Sequence, residues 1–257
     1  MGASRRIELK SPRDLEQLRR SGRLVAQVLV AVGKAVVPGA TTKDLDVLAE
    51  RMIRDAGAIP TFLGYRGYPA SLCASVNDEV VHGIPKKRVL TTGDIIGIDV
   101  GVTLNGFVGD TAFTFSVGAV NEEKKSLMEA TQEALRRGIA AARVGQRLGD
   151  VSAAIQSAAD EKGYGVVRDF VGHGVGREMH EEPSVPNYGT AGTGIRLEPG
   201  LVIALEPMLN GGTWRVNVLS DGWTVVTQDG RPSAHYEHTI AVTEQGPEIL
   251  TTCSPLC

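Results

Sequence analysis

An α+β fold is what this sequence predicts, and three observations carry that expectation. Two capped helical stretches open the chain, an Asn-Gly hairpin signal joins two apolar runs near residue 105, and Asp-Gly turn signals punctuate the last third. No low-complexity linker and no clean repeat divides the chain. Residues 11–250 therefore read as a single domain between an N-terminal tail (1–10) and a C-terminal tail (251–257).

The first helix spans residues 11–37: Ser11 caps it, Pro12 suits its first turn, and Pro38-Gly39 ends it. Thr41 with Asp44 makes a capping-box pattern for a second helix that reaches Gly57. Short strands follow at 72–76 and 80–82, then a long apolar stretch over 93–115. Two more helices occupy 121–144 and 148–162, stopped by Gly145 and Gly163. The remainder is strand and loop, with Asp221-Gly222 and Asp229-Gly230 marking turns of a meander.

With 257 residues, 42% of them hydrophobic and 22% charged, the chain can bury a sizeable core as an ordinary globular protein. A net charge of −3 implies no wholesale nucleic-acid binder. The first stretch is locally basic, with Arg5, Arg6, Lys10, Arg13, Arg19, Arg20 and Arg23 against Glu8, Asp14 and Glu16. That pattern predicts a solvated helix face, with contact to an anionic surface as the second reading. Cys73, Cys253 and Cys257 are too few and oddly numbered for a disulfide framework. Neither a signal peptide nor a bilayer-spanning apolar run is visible, and Arg6 stands where a myristoylation signal after Gly2 needs Ser or Thr. A cytoplasmic protein is expected.

The stretch GDIIGIDVGVTLNGFVGDTAFTF, residues 93–115, poses the central question: it is apolar, yet carries Asp99 and Asp110. A buried carboxylate is costly unless something pairs with it. If Asn105-Gly106 is the turn, Asp99 lies opposite Ala112 with Asp110 on the diagonal; a turn one residue earlier makes the two acids face each other. Either register puts both on one face, because strand side chains alternate. Gly97, Asp99, Gly101, Val108, Asp110, Ala112 and Thr114 line that face, whereas Ile96, Ile98, Val100, Phe107, Phe113 and Phe115 form the back. Small residues around two acids leave room for something to fit over the sheet. Two like charges so close repel unless a cation lies between them or one is protonated. A merely polar, solvated sheet face is the alternative.

Two later segments repeat the pattern. LVIALEPML (201–209) places Ala204, Glu206 and Met208 on one face, and HYEHTIAV (235–242) places Glu237, Thr239 and Ala241 on one face. His173 stands between glycines in FVGHGVGREMHEEP, with His180 seven residues on. The GxGxG spacing is not a dinucleotide fingerprint, and Ser184 rules out the zincin pattern after His180-Glu181. His82, in NDEVVHGIP, and both later histidines remain open between structural and ligating roles on this evidence. Four carboxylates with one neutral imidazole suit a pair of divalent ions rather than a sulfur-rich structural zinc site. Paired metals activate a bridging water and polarise a carbonyl, which is hydrolytic chemistry.

Taken in order, SVNDEVVHGIP, GIDVGVTLNGFVGD, GHGVGREMHEEP, ALEPM and YEHT resemble the type I methionine aminopeptidases of the pita-bread fold, over residues 11–250. The chain is similar to the minimal bacterial form, lacking a zinc-binding extension or a large insertion. The resemblance implies a curved antiparallel sheet with helices on its outer face and the metal site on its inner face. It implies Asp99, Asp110, His173, Glu206 and Glu237 as ligands of two divalent ions (Co, Mn, Fe or Zn), with Asp110 and Glu237 bridging. Glu206 would also be the general base to the bridging water, His82 would contact substrate near the scissile amide, and His180 would stabilise the oxyanion. Phe62, Tyr65, Tyr68, Cys73, Met179 and Trp223 would line the methionine pocket. Phe62 and Met179 depart from the Cys and Phe that many members carry, which keeps the wall apolar but alters its shape. Packing in the core is the competing reading for these six, with Trp223 also readable as a surface aromatic.

The expectation is thus a cytoplasmic, monomeric methionyl aminopeptidase acting on nascent chains with a small second residue. The family preference extends to this chain's own Met1-Gly2, so Met1 should be removed, and the basic N-terminal stretch suggests transient ribosome contact. Two rivals stand beside it: a proline-directed peptidase of the same fold, which usually carries a large extra N-terminal domain, and a non-catalytic binding protein, which typically loses metal ligands.

Overall fold

A computed structural model describes residues 7–252. Met1-Gly2, Arg5, Arg6, Cys253 and Cys257, and with them the expectations about Met1 removal and most of both tails, lie outside the described residues. The chain opens with α1 (Pro12–Ala35) and α2 (Thr42–Asp55), followed by β1 (Ile59–Pro60), β2 (Leu72–Val76), β3 (Glu79–Val81), β4 (Ile95–Leu104) and β5 (Phe107–Ser116). Next come α3 (Glu122–Ala141), α4 (Leu148–Asp160), β6 (Gly165–Val166), β7 (Gly172–Gly174), β8 (Glu181–Val185) and β9 (Val202–Leu205). The chain then forms β10 (Met208–Asn210), β11 (Val216–Val218), β12 (Val225–Thr227), β13 (Ser233–His235), β14 (Glu237–Thr243) and β15 (Gly246–Ile249).

Local chemistry starts the helices where the sequence places them. Ser11 and Asp14 close a capping box on α1, and Thr41 and Asp44 do the same on α2. Asn121 caps α3 by accepting the Lys124 N–H at 2.9 Å. The helices end a few residues earlier than their glycine stops, because the backbone leaves helical geometry at Val36 and Ala142 first.

One nine-stranded antiparallel sheet runs β1-β4-β5-β14-β9-β7-β8, with β2 also on β4 and β15 on β14. Two three-stranded sheets, β13-β10-β6 and β11-β12-β3, stand beside it. Helices α1 and α2 cover the β2, β4 and β5 half, where Val25, Val28, Leu45 and Ile53 share a core cluster with Ile96, Ile98 and Val100. Helices α3 and α4 cover the other half, joining Leu127, Ala134 and Ile155 to Ile203, Leu205, Ile240 and Val242. Both helical layers bury their apolar stripes on the bulky outer face, which leaves the inner face to a third cluster containing Phe62, Tyr68, Cys73 and Met179.

The structure corrects one expectation. LVIALEPML and HYEHTIAV are not single strands: β9 stops at Leu205 and β10 starts at Met208 in another sheet, while β13 stops at His235 and β14 starts at Glu237. Met208 therefore does not share a face with Glu206 but is buried with Val80, Val167 and Val225. Pro207, which has no N–H to give a ladder, marks the first break, and its carbonyl accepts the Tyr236 N–H at the second. Glu206 and Glu237 both sit at these corners.

The start of β2 depends on a buried acid. Asp46, 1% exposed on α2, accepts the N–H groups of Ser71 (2.8 Å) and Leu72 (3.3 Å) and the ammonium of Lys43 (2.7 Å). Asp46→Ala leaves two buried N–H groups unpaired and is expected to cost about 2–4 kcal/mol in urea denaturation. A loss below about 0.5 kcal/mol, the range of neutral surface changes, would show that the anchor is dispensable.

Candidate metal centre

The β4–β5 hairpin turns at Asn105-Gly106, both in the left-handed region (φ 52° and 78°), and this selects the first of the two registers considered. Asp99 pairs with Ala112 and Asp110 with Gly101, so both acids face inward. Strand β14 pairs with β5 so that Glu237 stands opposite Ala112, giving the row Asp99, Ala112, Glu237 across three strands. Threonine hydroxyls lock that row: Thr111 donates to the Glu237 carbonyl and Thr239 to the Asp110 carbonyl, both at 2.8 Å.

His173 arrives on β7 and Glu206 at the end of β9, its neighbour in the sheet. One ligand atom each from Asp110, His173 and Glu237 lie within 4.8 Å of one another. His173 Nε2 is 3.7 Å from Asp110 Oδ2 and 3.5 Å from Glu206 Oε1. Asp99 and Glu206 flank this tightest group rather than belonging to it. The Asn187 side-chain amide donates to the Glu206 carbonyl at 3.1 Å and fixes the corner.

These residues fit divalent ions. His173 Nδ1 bonds the Gly174 carbonyl at 3.0 Å; because a carbonyl can only accept, the proton is on Nδ1 and the bare lone pair of Nε2 points at the acids. Burial pushes His173 down to about 3, so the ring is neutral. Burial pushes Asp99 up to about 7, and burial with neighbouring carboxylates raises Asp110, Glu206 and Glu237 well above the usual range. Asp99 Oδ1, Asp110 Oδ1 and Glu237 Oε1 are buried with no hydrogen-bond partner among the described residues. A lone pair among crowded, orphaned carboxylate oxygens is what a cation would satisfy, and an oxygen-rich set with one imidazole suits Mn, Fe, Co or Zn.

The metal-ligand candidates floor a cavity of about 160 Å³, and every site residue expected from the sequence lines it: Phe62, Tyr65, Tyr68, Cys73, His82, Asp99, Asp110, His173, Met179, His180, Glu206, Trp223 and Glu237. Tyr68 and Trp223 meet edge to face at 5.1 Å, and the Tyr68 hydroxyl reaches the carbonyls of Gly83 (3.0 Å) and Leu72 (3.2 Å). Trp223 is thus part of the wall rather than a surface aromatic. A larger depression at Ile7, Leu9, Arg196 and Glu198 holds none of these groups.

His82 and His180, like His173 left open by the sequence, face the cavity as well. His82 takes φ 58°, an unusual conformation for a side chain of its size, and stands edge-on to Phe170 at 5.4 Å. Burial pushes it down to about 4. His180 Nδ1 is 2.9 Å from the Tyr65 hydroxyl, and its ring lies 4.1 Å from that of His173. Arg66, Val81, Phe170 and Val171 also line the cavity and were not anticipated. Nor was His235, which is 3% exposed with Nε2 3.9 Å from Glu206 Oε2. It ends β13, across the Tyr236 corner from Glu237 on β14, so strand alternation gave no signal for it.

A buried acid cluster with one bare imidazole nitrogen, set beneath an apolar pocket on a curved antiparallel sheet, defines a metal-dependent hydrolase. The model for metallopeptidase family M24 matches residues 16–244. A methionine aminopeptidase of Clostridium acetobutylicum is 52% identical over 248 residues, covering 96% of this chain and 99% of the relative. Methionine aminopeptidase 1 of Bacillus subtilis is 51% identical over 95% of this chain and 99% of its own. The crystal structure of methionine aminopeptidase from Rickettsia prowazekii superposes with a TM-score of 0.95 at 43% identity, covering 96% of this chain and all of that one. The chain belongs to metallopeptidase family M24, among the methionine aminopeptidases, and has their pita-bread fold.

Proposed function

We propose that the protein removes the N-terminal methionine from nascent chains and peptides whose second residue is small, as a cytoplasmic methionyl aminopeptidase working as a monomer. The observation that carries this reading is the narrow pocket ending on the buried acid cluster. At about 160 Å³ it is below the range of drug-sized sites and suits one side chain. Phe62, Tyr65, Tyr68, Cys73, Met179 and Trp223 offer it aromatic and sulfur surface, which favours an unbranched thioether. Such a wall separates similar aliphatics by only about 1–3 kcal/mol, so leucine is disfavoured to a finite degree.

Divalent ions held by Asp99, Asp110, His173, Glu206 and Glu237 would supply Lewis acidity toward water and the scissile carbonyl. Glu206 takes the proton of the attacking water; at 14% its side chain is the more open of the two acids flanking His173 Nε2. The Tyr65 hydroxyl lies 2.9 Å from His180 Nδ1, and in the tautomer where the hydroxyl donates there, His180 has an Nε2–H to give to the developing oxyanion. His82, neutral and edge-on at the cavity, contacts the scissile amide.

Met-Ala-Ser should be cleaved and Xaa-Pro peptides refused; a chelator should abolish cleavage, with Mn or Co restoring it. Hydrolysis of Xaa-Pro with Met-Ala-Ser untouched would transfer the protein to the proline-directed class, and chelator-insensitive turnover would remove the metal. His180→Ala should lower kcat on the order of 10²-fold while KM moves little. An unchanged kcat would eliminate the oxyanion role. Transient ribosome contact through the basic start of the chain belongs to this reading. Arg20 and Arg23 keep half-exposed side chains, whereas Arg19 is held by Glu248 at 2.6 Å. Co-sedimentation that is absent at low salt would remove that part.

Among the described residues no helix is long and apolar enough to cross a membrane.

A further inference from the structure

Lys10, just ahead of α1, has a side chain only 2% exposed, an unusual place for an ammonium. Its Nζ donates to Glu181 Oε2 at 2.7 Å, with Glu8 Oε2 3.3 Å away on the solvent side. The other oxygen of Glu181 accepts the N–H groups of Arg177 (2.8 Å) and Glu178 (3.2 Å). One carboxylate thus closes the turn between β7 and β8 on itself and ties it to the N-terminal segment. Gly176 keeps the space open: a Cβ there would overlap Glu181 Oε1 and stand 2.6 Å from Lys10 Nζ.

The anchor end of this tie is rigid. The Lys10 N–H donates to the Gly200 carbonyl at 2.7 Å, and the Gly200 N–H to Val242 on β14 at 3.0 Å. A second contact runs parallel, with Arg177 3.6 Å from Asp14 in the cap of α1 and stacked over Phe107 at 4.2 Å. The tethered turn carries Met179 and His180, both on the cavity, and His180 is the residue directly before Glu181. A buried ion pair adds little net stability over an apolar pair of the same size; what it supplies is one preferred arrangement.

We infer that Lys10 is a positioning residue for the reaction, holding through Glu181 the turn that presents His180 and Met179 to the substrate. The inference rests on the oxyanion role proposed above for His180. Lys10→Met keeps the aliphatic stem and leaves Glu181 its two N–H donors. The metal-loaded variant should lose on the order of tenfold in kcat on Met-Ala-Ser, with a smaller change in KM. Mn binding by calorimetry should stay as in wild type, since no candidate ligand is touched. In Lys10→Ala, added propylamine should restore turnover and propanol should not, because only the amine returns the charge.

Wild-type kcat in Lys10→Met overturns the inference, and so does equal rescue by propanol, which would reduce Lys10 to packing. If Lys10→Met does not fold, Lys10→Arg decides: kcat within about twofold of wild type supports the role of the charge, and a loss as deep as that of His180→Ala overturns it. An impaired His180→Ala beside an unimpaired Lys10→Met sinks this inference alone. Wild-type turnover in His180→Ala sinks the oxyanion role and this inference with it.

Discussion

Glu206→Gln should retain the fold while losing about 10³-fold or more in turnover, the range expected when a general base is removed from a water-activating site. The argument is geometric first. Glu206 sits at the corner where β9 ends, its backbone held by Asn187 at 3.1 Å and its Oε1 3.5 Å from the bare Nε2 of His173. The amide keeps the volume but offers no basic oxygen at the same position. In the metal-free cluster, burial and the charges of Asp110 and Asp99 raise the Glu206 carboxylate well above the ordinary range. The same crowding gives a second readout. Replacing one of four crowded buried carboxyls by a neutral amide should leave the metal-free protein at least as thermally stable as wild type. Turnover within tenfold of wild type would place the base elsewhere.

Asp110→Ala and Glu237→Ala should each weaken Mn binding by at least about a hundredfold, beyond what loss of an outer-sphere partner costs, and abolish turnover with it. Both carboxylates belong to the tightest group with His173, both are 2% exposed, and both have an oxygen without a partner among the described residues. Asp99→Ala should cost less, because Asp99 flanks that group. Thermal shift provides the check independent of activity. Adding Mn should raise the melting temperature of wild type through binding to the native state, and neither alanine variant should respond. A metal-induced shift of wild-type size in Asp110→Ala would exclude Asp110 from the ligand set.

The hairpin shows why some of the site was legible. Asn105-Gly106 specifies a tight turn, alternation specifies the faces, and between them Asp99 and Asp110 had to project together; the structure chose one of the two registers considered. The helices were equally local, each capping pattern lying within four residues of the start it sets. Segments 201–209 and 235–242 show where this reasoning fails. Alternation was extrapolated through Glu206 and Tyr236, where the chain in fact changes sheets. Nothing periodic announces such a corner, apart from Pro207. His235 was passed over because it lies beyond the Tyr236 corner, where alternation carries no information about Glu237, and Lys10 was read as one charge on a solvated face.

By itself the sequence determined the helix starts, the inward face of β4 and β5, and, through the order of its motifs, the family and most of the residues that line the cavity. Only the tertiary structure decided that Glu237 stands in the row of Asp99, that His173 turns its free nitrogen toward Asp110, and that Lys10 reaches Glu181. Helix caps and hairpins are settled by neighbours a few residues apart. The metal cluster joins strands more than a hundred residues apart, and their register is chosen by what packs on both faces of the sheet at once.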